Sequence, residues 1–383
     1  MTDTRTGAPT AGAAPDAPAP AVANDAVLPS LASSPARGLT PRTRSALLFA
    51  GLTVALVAGV VISAGAGQLP VPPHEVWNSL LRGLGLSDAP EALPNSDSAL
   101  RNIRFPRIAM ALLIGAALAM AGTVMQAIFA NPLAEPGVVG VSSGAALGAA
   151  AAIVLGWTAF GDWVTAVAAF AAGLGATLVV YLASRAGGRT EVVTLVLTGI
   201  AINAFAGGAL AFLTFIGDTG SREEIVFWQL GSLNGARWPE VAVMLPLVIV
   251  AGTAALLLGR TLDLFSLGER GARHLGVRVE AVRIVSIVVV AVLVCSAVAF
   301  AGIIAFVGLI VPHLMRMVIG PAHRQLLVAG ALGGAVLLLF ADLAARTMVP
   351  MADLPIGMLT SIIGGPFFFW LLRRTRRRSG GWG

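Results

Sequence analysis

The sequence contains no lysine, because all 25 basic residues of the 383-residue chain are arginines. A P-loop uses a lysine to reach the phosphates of its bound nucleotide. A chain without lysine therefore cannot hydrolyse ATP by that route. If its function consumes ATP, a partner subunit must bind the ATP and its magnesium ion, and we expect no cofactor on this chain.

Charged residues are also scarce. They make up 11% of the chain, whereas hydrophobic residues make up 57%, and the mean hydropathy is +0.86. A soluble globular domain carries roughly 25% charged residues, so this chain lacks the polar surface that a protein in water needs. The arginines lie between apolar runs rather than in one patch, which argues against nucleic-acid binding and indicates a protein embedded in a lipid bilayer.

Cysteine and histidine are too few for a disulfide framework or a metal centre. Cys295, the only cysteine, lies in an apolar run and is expected to be a small buried residue. The histidines (His74, His274, His313 and His323) lack metal-ligand spacing and are expected in loops or at the ends of spans. The sequence therefore predicts no metal site.

Long apolar runs follow one another after residue 45. A helix of about 20 apolar residues crosses the hydrocarbon core of a bilayer. The runs occupy residues 46–65, 108–129, 138–155, 163–183, 192–215, 241–258, 284–311, 326–345 and 356–372. The run at 284–311 is too long for one ordinary span and short for two.

The placement of arginine decides the number of spans. The loop at 260–283 carries five arginines and the segment after Leu372 carries five more, so the positive-inside rule places both in the cytoplasm. An even number of crossings must separate them, so we predict that the run at 284–311 forms two short spans that break near Gly302.

The predicted organisation is an all-α, polytopic membrane protein with about ten transmembrane helices. Residues 1–44, rich in alanine, proline and threonine, are predicted to be a disordered cytoplasmic tail. Residues 45–373 form the transmembrane domain, and residues 374–383 form a short basic cytoplasmic tail.

Residues 140–144 match the G-x-S-x-G pattern of a nucleophile elbow, but they lie in an apolar helical run. That pattern works only at a strained strand-to-helix turn with an acid and a histidine nearby, so the sequence does not predict an enzyme. Gly140, Gly144 and Gly148 are instead four residues apart, as at a close contact between two helices in lipid.

Asp342 is the clearest ionisable residue within a predicted span. A charge at the centre of a span costs about 2.5–3.5 kcal/mol on insertion scales and is usually functional. Arg346 lies four residues later, so we expect the two to pair across one helical turn near the outer surface. Few other acidic residues lie within spans, which disfavours the alternative of an ion-coupled secondary transporter.

The segment LGERGARHLG at residues 267–276 is amphipathic and flanked by glycines. Its apolar positions fit a short surface helix that docks into a partner, and a solvated loop is the alternative. The residues assigned to this helix are Leu267, Gly268, Glu269, Ala272, Leu275 and Gly276.

Several longer motifs carry a resemblance to a known family. They are RFPR at 104–107, GTVMQ at 122–126, NPLAEPG at 131–137, GIIAFVGLIVPHLMR at 302–316 and LPIGMLTSIIGGPFF at 354–368. In this order they resemble the FecCD-type permeases of iron-siderophore, haem and cobalamin ABC importers. The resemblance runs from about residue 46 to residue 373 and leaves out the N-terminal tail.

The placement of arginine gives ten spans with both termini in the cytoplasm. The resemblance implies the same number of spans, in the type II ABC importer permease fold of a bacterial inner membrane. It also implies a homodimer that works with two ATP-binding cassette subunits and a periplasmic substrate-binding protein. In such an assembly the segment at 267–276 would dock into the ATPase subunit.

The resemblance further assigns residues to docking and to the passage. The outer arginines that meet carboxylates of the binding protein match Arg104, Arg107 and Arg346. The passage is formed by the fifth and tenth spans, and helical spacing selects as lining candidates Ile202, Asn203, Phe205, Leu359 and Ile363.

The cargo is ranked by resemblance alone. The stretches LTGIAIN at 197–203 and ALGGAVLLLFAD at 331–342 look most like the haem permeases. Haem therefore ranks first, ferric siderophore second and cobalamin third, and no property of the residues themselves separates the three.

Overall fold

The computed structural model describes residues 40–67, 70–87, 90–91, 93–186 and 189–378. Most of the predicted N-terminal tail and residues 379–383 of the predicted C-terminal tail lie outside the described residues.

The described residues form an almost wholly helical fold, which confirms the predicted all-α class. The helices are α1 (Pro41–Gly65), α2 (Pro73–Gly83), α3 (Ser96–Ala99), α4 (Phe105–Ile128), α5 (Val141–Val154), α6 (Val164–Ala183), α7 (Val192–Ile216), α8 (Thr219–Leu230), α9 (Trp238–Phe265), α10 (Gly268–His274), α11 (Val279–Ala301), α12 (Val307–Ile319), α13 (His323–Thr347) and α14 (Ile356–Arg378). A π-helical turn at Leu100–Arg104 leads into α4, and 3₁₀ turns lie at Pro136–Val139 and Trp157–Phe160. Two short antiparallel strands, β1 (Arg185–Ala186) and β2 (Arg189–Thr190), join α6 to α7.

Seven helices of the described chain are long and apolar enough to cross a membrane: α1, the continuous segment Ser96–Ile128 that includes α4, α6, α7, α9, α11 and α13. Three shorter apolar helices accompany them, namely α5, α12 and the Ile356–Trp370 part of α14. Each predicted span falls on one of these helices. The count of about ten spans agrees with this set, although three of its members are too short to qualify by length alone.

The long apolar run breaks near Gly302, where the sequence predicts a break. Gly302 has a φ of +67° and ends α11, and a Cβ at this position would lie 2.1 Å from the carbonyl oxygen of Trp228. Only glycine fits both the left-handed backbone and the close approach. The expectation of two short spans is wrong for α11, which has 23 residues because it begins at Val279, before the apolar run.

Helix α4 lies at the centre of the fold and is buried along most of its length. It packs against α9, α11, α12 and α13. Backbones approach most closely where Gly122 meets Gly308, since a Cβ on Gly122 would lie 1.8 Å from the carbonyl oxygen of Gly308. Small residues at such contacts let helices pack in lipid, where no hydrophobic effect drives them together.

The predicted glycine contact is confirmed for Gly144 and Gly148 on α5, whereas Gly140 precedes the helix with a φ of +80° and lies against Ile202 of α7. A Cβ on Gly144 would lie 2.4 Å from the Cβ of Ala176, and a Cβ on Gly148 would lie 2.4 Å from the carbonyl oxygen of Ala168. Both partners belong to α6. The G-x-S-x-G pattern at 140–144 is thus part of a packing face.

Candidate docking, coupling and translocation sites

A cavity of about 340 Å³ brings the three predicted docking arginines together. Arg104 ends the π-helical turn, Arg107 lies in the first turn of α4, and Arg346 lies in the last turn of α13. Asn234 and Asp353 complete the polar lining. We call this feature the arginine cavity.

Arg107 is held by two carboxylates. Its Nε lies 2.7 Å from Oδ1 of Asp342, and its Nη1 lies 2.8 Å from Oδ2 of Asp353. Arg107 is 7% exposed and Asp342 is fully buried. This side chain therefore ties α4 to α13 and to the linker that enters α14, and it is less available to an incoming partner than the sequence suggests.

The predicted pair of Asp342 and Arg346 is present, but Asp342 lies closer to Arg107 than to Arg346. The Nε of Arg346 lies 3.5 Å from Oδ2 of Asp342, compared with 2.7 Å for the contact with Arg107. The sequence pattern found only the partner one helical turn away. Arg107 and Asp353 had no local signal as partners, because the Arg107 pairs join residues more than 200 positions apart.

Arg104 and Arg346 bind the end of α1. Arg104 donates from Nη1 to the carbonyl oxygen of Ala64 at 2.5 Å, and Arg346 donates from Nη1 to that of Ala66 at 2.7 Å. The last carbonyls of a helix lack intrahelical partners and carry partial negative charge, so the two guanidinium groups cap α1. Among the described residues, this region combines three arginines with the carboxylates of Asp342 and Asp353.

A second ionic cluster fixes the segment that precedes the cavity. Arg82 on α2 lies 2.5 Å from Asp97 and 2.6 Å from the buried Glu75, and Ser96 donates to Glu75 at 3.0 Å. The cluster thus holds α2 and α3 together beside the arginine cavity.

The short helix predicted at 267–276 is confirmed as α10. Gly268 begins it and Gly276 follows it, with φ values of +83° and +82°, and Leu267 and Leu275 are 63% and 59% exposed. Ala272 is fully buried in a small cluster with Phe265 and Val279. Ala272 therefore packs inside the subunit, and the exposed apolar contacts of this segment are the two leucines.

A buried arginine fixes α10 in place. Arg283 on α11 is 3% exposed, and its guanidinium pairs with the carboxylate of Glu269. It also donates to the carbonyl oxygen of Thr190 at 2.5 Å. Arg283 therefore links α10 to the strand pair, a role that its position in an arginine-rich loop did not reveal.

The five passage candidates do not share one surface. Ser143 donates to the side-chain oxygen of Asn203 at 2.5 Å, and Asn203 donates to the carbonyl oxygen of Gly137 at 3.3 Å. Ile202 lies against Gly140, and Leu359 is 9% exposed. These three side chains face the interior of the subunit.

The other two candidates face outward, since Phe205 is 70% and Ile363 is 69% exposed. Phe205 continues along α7 into a row of exposed aromatic side chains with Phe212 and Phe215. Near the end of α7 is a cavity of about 570 Å³, lined by Gly207, Leu210, Ala211, Thr214, Phe215, Arg222 and Gln229. Sequence reasoning missed this cavity because α8, which supplies Arg222 and Gln229, has too few apolar residues to register as a span.

The described residues hold no group of three or more His, Cys, Asp or Glu side chains that could bind a metal ion. The expectation that every histidine lies in a loop or at the end of a span is wrong for His313, which lies in the middle of α12. His323 begins α13 and lies 2.9 Å from Asp263 through its Nδ1. The Nδ1 of His313, by contrast, is buried without a hydrogen-bond partner among the described residues.

The two ends of α9 adjoin different sites. At its start, Trp238 donates from Nε1 to the carbonyl oxygen of Arg101 at 2.7 Å, in the same π-helical turn as Arg104. At its end, Phe265 leads directly to α10. A helix of 28 residues is about 42 Å long. The arginine cavity and the exposed leucines of α10 therefore lie at opposite ends of the transmembrane helices.

Comparison with known proteins identifies the family. The model of the FecCD transport family matches residues 55–374. The hemin transport system permease protein HmuU of Yersinia pestis is 39% identical over 343 residues, which cover 89% of this chain and 99% of that protein. The cobalamin import system permease protein BtuC of Halobacterium salinarum is 38% identical over 345 residues, covering 88% of this chain and 89% of that protein.

A solved structure agrees with these relatives. An inward-facing metal-chelate type ABC transporter superposes with a TM-score of 0.75 at 34% identity, and the match covers 86% of this chain and 99% of that one. The chain therefore belongs to the FecCD transport family, as its motifs predict, and it is a permease subunit rather than an enzyme.

Proposed function

We propose that this chain forms the transmembrane passage of an ATP-driven importer that carries haem across a bacterial inner membrane. Ferric siderophore and cobalamin are the next candidates for the cargo. The hemin permease HmuU, at 39% identity, supports haem as the first choice, and the cobalamin permease BtuC follows at 38%. A difference of this size does not separate the cargoes by itself, so the haem-like motifs at 197–203 and 331–342 carry the ranking.

The observation that carries the importer proposal is the separation of two surfaces by the length of a membrane. The arginine cavity lies at one end of α9, and α10 with its exposed Leu267 and Leu275 lies at the other. An importer needs one surface for a binding protein outside and another for an ATPase inside. A 28-residue helix spans the bilayer between them.

At the outer end, the arginine cavity is proposed to receive a carboxylate of the substrate-binding protein. Arg104 and Arg346 are the contacts in this proposal, because both line the cavity and match the docking positions of the family. Guanidinium groups in such a cavity would donate hydrogen bonds to the partner's carboxylate and fix its register.

At the inner end, α10 is proposed to insert into the ATPase subunit. Its two exposed leucines flank a helix whose orientation is fixed by the pair between Arg283 and Glu269. A rigid connection of this kind can pass movement of the ATPase into α9 and α11. Two ATPase subunits serve two copies of the permease, and each binds ATP with its magnesium ion.

The passage is proposed to form between two copies of the chain, which makes the permease a homodimer. The exposed side of α7, with Phe205, Phe212 and Phe215, and the exposed Ile363 on α14 are the surfaces available for it. Helix α14 begins where its Ile356 nitrogen donates to the carbonyl oxygen of Gly231, just after α8. In this arrangement ten spans place both termini in the cytoplasm.

The cargo is tested by measuring which ligand the cognate substrate-binding protein binds. The binding protein would be titrated with haem, ferric hydroxamate and cobalamin, and each loaded form would be tested for stimulating ATP hydrolysis by the reconstituted permease complex. We expect haem to bind most tightly and its loaded form to stimulate most. Preference for cobalamin or a siderophore would overturn the haem assignment and leave the importer assignment in place.

A further inference from the structure

An apolar groove runs between α6 and α11, away from the cavities discussed above. Its volume is about 340 Å³, and its lining is Leu174, Thr177, Leu178, Tyr181, Ile284, Ile287, Val288 and Ala291. Thr177 is the only residue of this lining, apart from Tyr181, with a side-chain polar group, and its hydroxyl donates to the carbonyl oxygen of Gly173 at 2.9 Å. The groove therefore offers an incoming molecule an almost purely apolar surface.

The groove lies within membrane-spanning helices and is open on one side. Leu178 and Val288, on its two walls, are 56% and 55% exposed. From Leu174 to Tyr181 the groove follows α6 for about 10 Å. Within a bilayer, lipid chains or another protein can fill the groove. Filling by water is unfavourable, because it would hydrate the apolar walls.

Arg185 places a positive charge at one end of the groove. The guanidinium carbon of Arg185 lies 5.7 Å from the centre of the Tyr181 ring, which is the only tyrosine of the chain. Arg185 is exposed, and among the described residues it forms no ion pair with a carboxylate. Tyrosine and arginine at the end of a span are typical of the boundary between hydrocarbon and headgroups.

The strand pair that carries Arg185 is anchored to α11. Arg185 belongs to β1, which pairs with β2, and Thr190 of β2 donates from its backbone and hydroxyl to Glu280 at 3.1 and 2.6 Å. Arg283 donates to the carbonyl oxygen of the same threonine. Both anchors belong to α11, which forms the opposite wall of the groove. The strand pair that carries Arg185 is therefore connected to both helices that line the groove.

We propose that this groove binds the acyl chain of an anionic phospholipid, with the lipid phosphate at Arg185. An unpaired guanidinium beside an apolar groove complements a molecule that joins one negative charge to a hydrocarbon chain. The volume is sufficient for part of one acyl chain, since it lies at the lower end of the range for small-molecule sites. This site is independent of the cargo and requires only that the chain resides in a membrane.

The test measures lipid retention by native mass spectrometry on the purified full-length chain, supplied with equal amounts of phosphatidylglycerol and phosphatidylcholine of the same chain length. The wild type should retain phosphatidylglycerol preferentially. Arg185→Gln should retain about fivefold less, as expected for the loss of one arginine near an anionic surface. Arg185→Lys should keep most of the preference, which distinguishes lost charge from lost structure.

Two further variants complete the test. Arg260→Gln removes an exposed arginine at the end of α9 and should leave retention unchanged. Val288→Trp fills the groove from its exposed wall and should reduce retention of both lipids.

Three results would overturn the proposal. Equal retention by Arg185→Gln and Arg260→Gln would show that Arg185 does not bind the headgroup. Displacement of the lipid by glycerol phosphate alone would show a free phosphate site. Disulfide-linked dimers of Val288→Cys in a Cys295→Ala background would show that a second copy of the chain covers the groove.

Discussion

Replacement of Arg107 should destabilise the transmembrane domain more than replacement of any exposed arginine. Arg107 contacts Asp342 at 2.7 Å and Asp353 at 2.8 Å, and these contacts join α4, α13 and the linker before α14. In Arg107→Met, the fully buried carboxylate of Asp342 keeps only the Nε of Arg346 at 3.5 Å.

The magnitude follows from burial. Breaking a buried ion pair by removing one partner costs about 3–5 kcal/mol, because the remaining charge is left without compensation. That loss reduces the folding equilibrium constant by about a hundredfold to a few thousandfold. Arg101 is the matched control, since its pair with Asp97 spans 3.2 Å and its side chain is 38% exposed. Arg101→Ala should cost no more than about 1 kcal/mol.

The assay is unfolding by denaturant in mixed micelles, followed by the fluorescence of the chain's tryptophans. The double variant Arg107→Met with Asp342→Leu should be more stable than Arg107→Met alone, because an apolar pair of similar size removes the unpaired charge. If Arg107→Met and Arg101→Ala are equally stable, or if the double variant is less stable than the single one, the ion-pair account of this site is wrong.

Further predictions concern docking, coupling, topology and the cluster around Arg82. Arg104→Glu should weaken capture of a labelled binding protein by about 2–5 kcal/mol if the contact is desolvated, and charge reversal of the partner's carboxylate should restore part of the loss. Arg104→Gln should show how much of the loss comes from the α1 cap, and unchanged capture by both variants would place docking elsewhere. Leu275→Asp should uncouple ATP hydrolysis from uptake, because it places an unpaired charge in the ATPase contact; normal coupling would remove α10 from that role. Reporter fusions after residues 283 and 378 should read cytoplasmic and fusions near residues 219 and 352 periplasmic, and a periplasmic C-terminus contradicts ten spans. Arg82 pairs with both Asp97 and Glu75, so Asp97→Asn should loosen α2 and raise the rate of proteolysis of the segment around it; an unchanged rate would show that this cluster does not hold the segment.

The sequence predicted those features that depend on local composition. Apolar runs and the positive-inside rule located the membrane helices, and the break at Gly302 followed from charge counting. Helices α2 and α8 were not predicted because they lie in polar segments between spans, and α3 and the π-helical turn were not predicted because they precede the apolar run of α4. A signal for α8 was present in Asp218, which accepts a hydrogen bond from the backbone of Ser221 at 2.7 Å as an N-cap residue does.

The arginines chosen by family position lie together, whereas the passage candidates chosen by helical spacing do not share one surface. The arginines of the cavity meet although Arg104 and Arg346 are distant in sequence. Spacing on α7 selected Ile202 and Asn203 together with Phe205, but successive residues of a helix are separated by about 100°. A single lipid- or passage-facing surface cannot include all three, and only the packing of α5 against α7 shows which side is outward.

Uptake by reconstituted vesicles tests the central claim most directly. Proteoliposomes would contain the permease and its ATPase subunit with ATP inside, and the haem-loaded binding protein would be added outside. The account predicts that haem accumulates only when ATP, the ATPase subunit and the binding protein are all present, and that a proton gradient without ATP moves none. Accumulation driven by the gradient through the permease alone would contradict it.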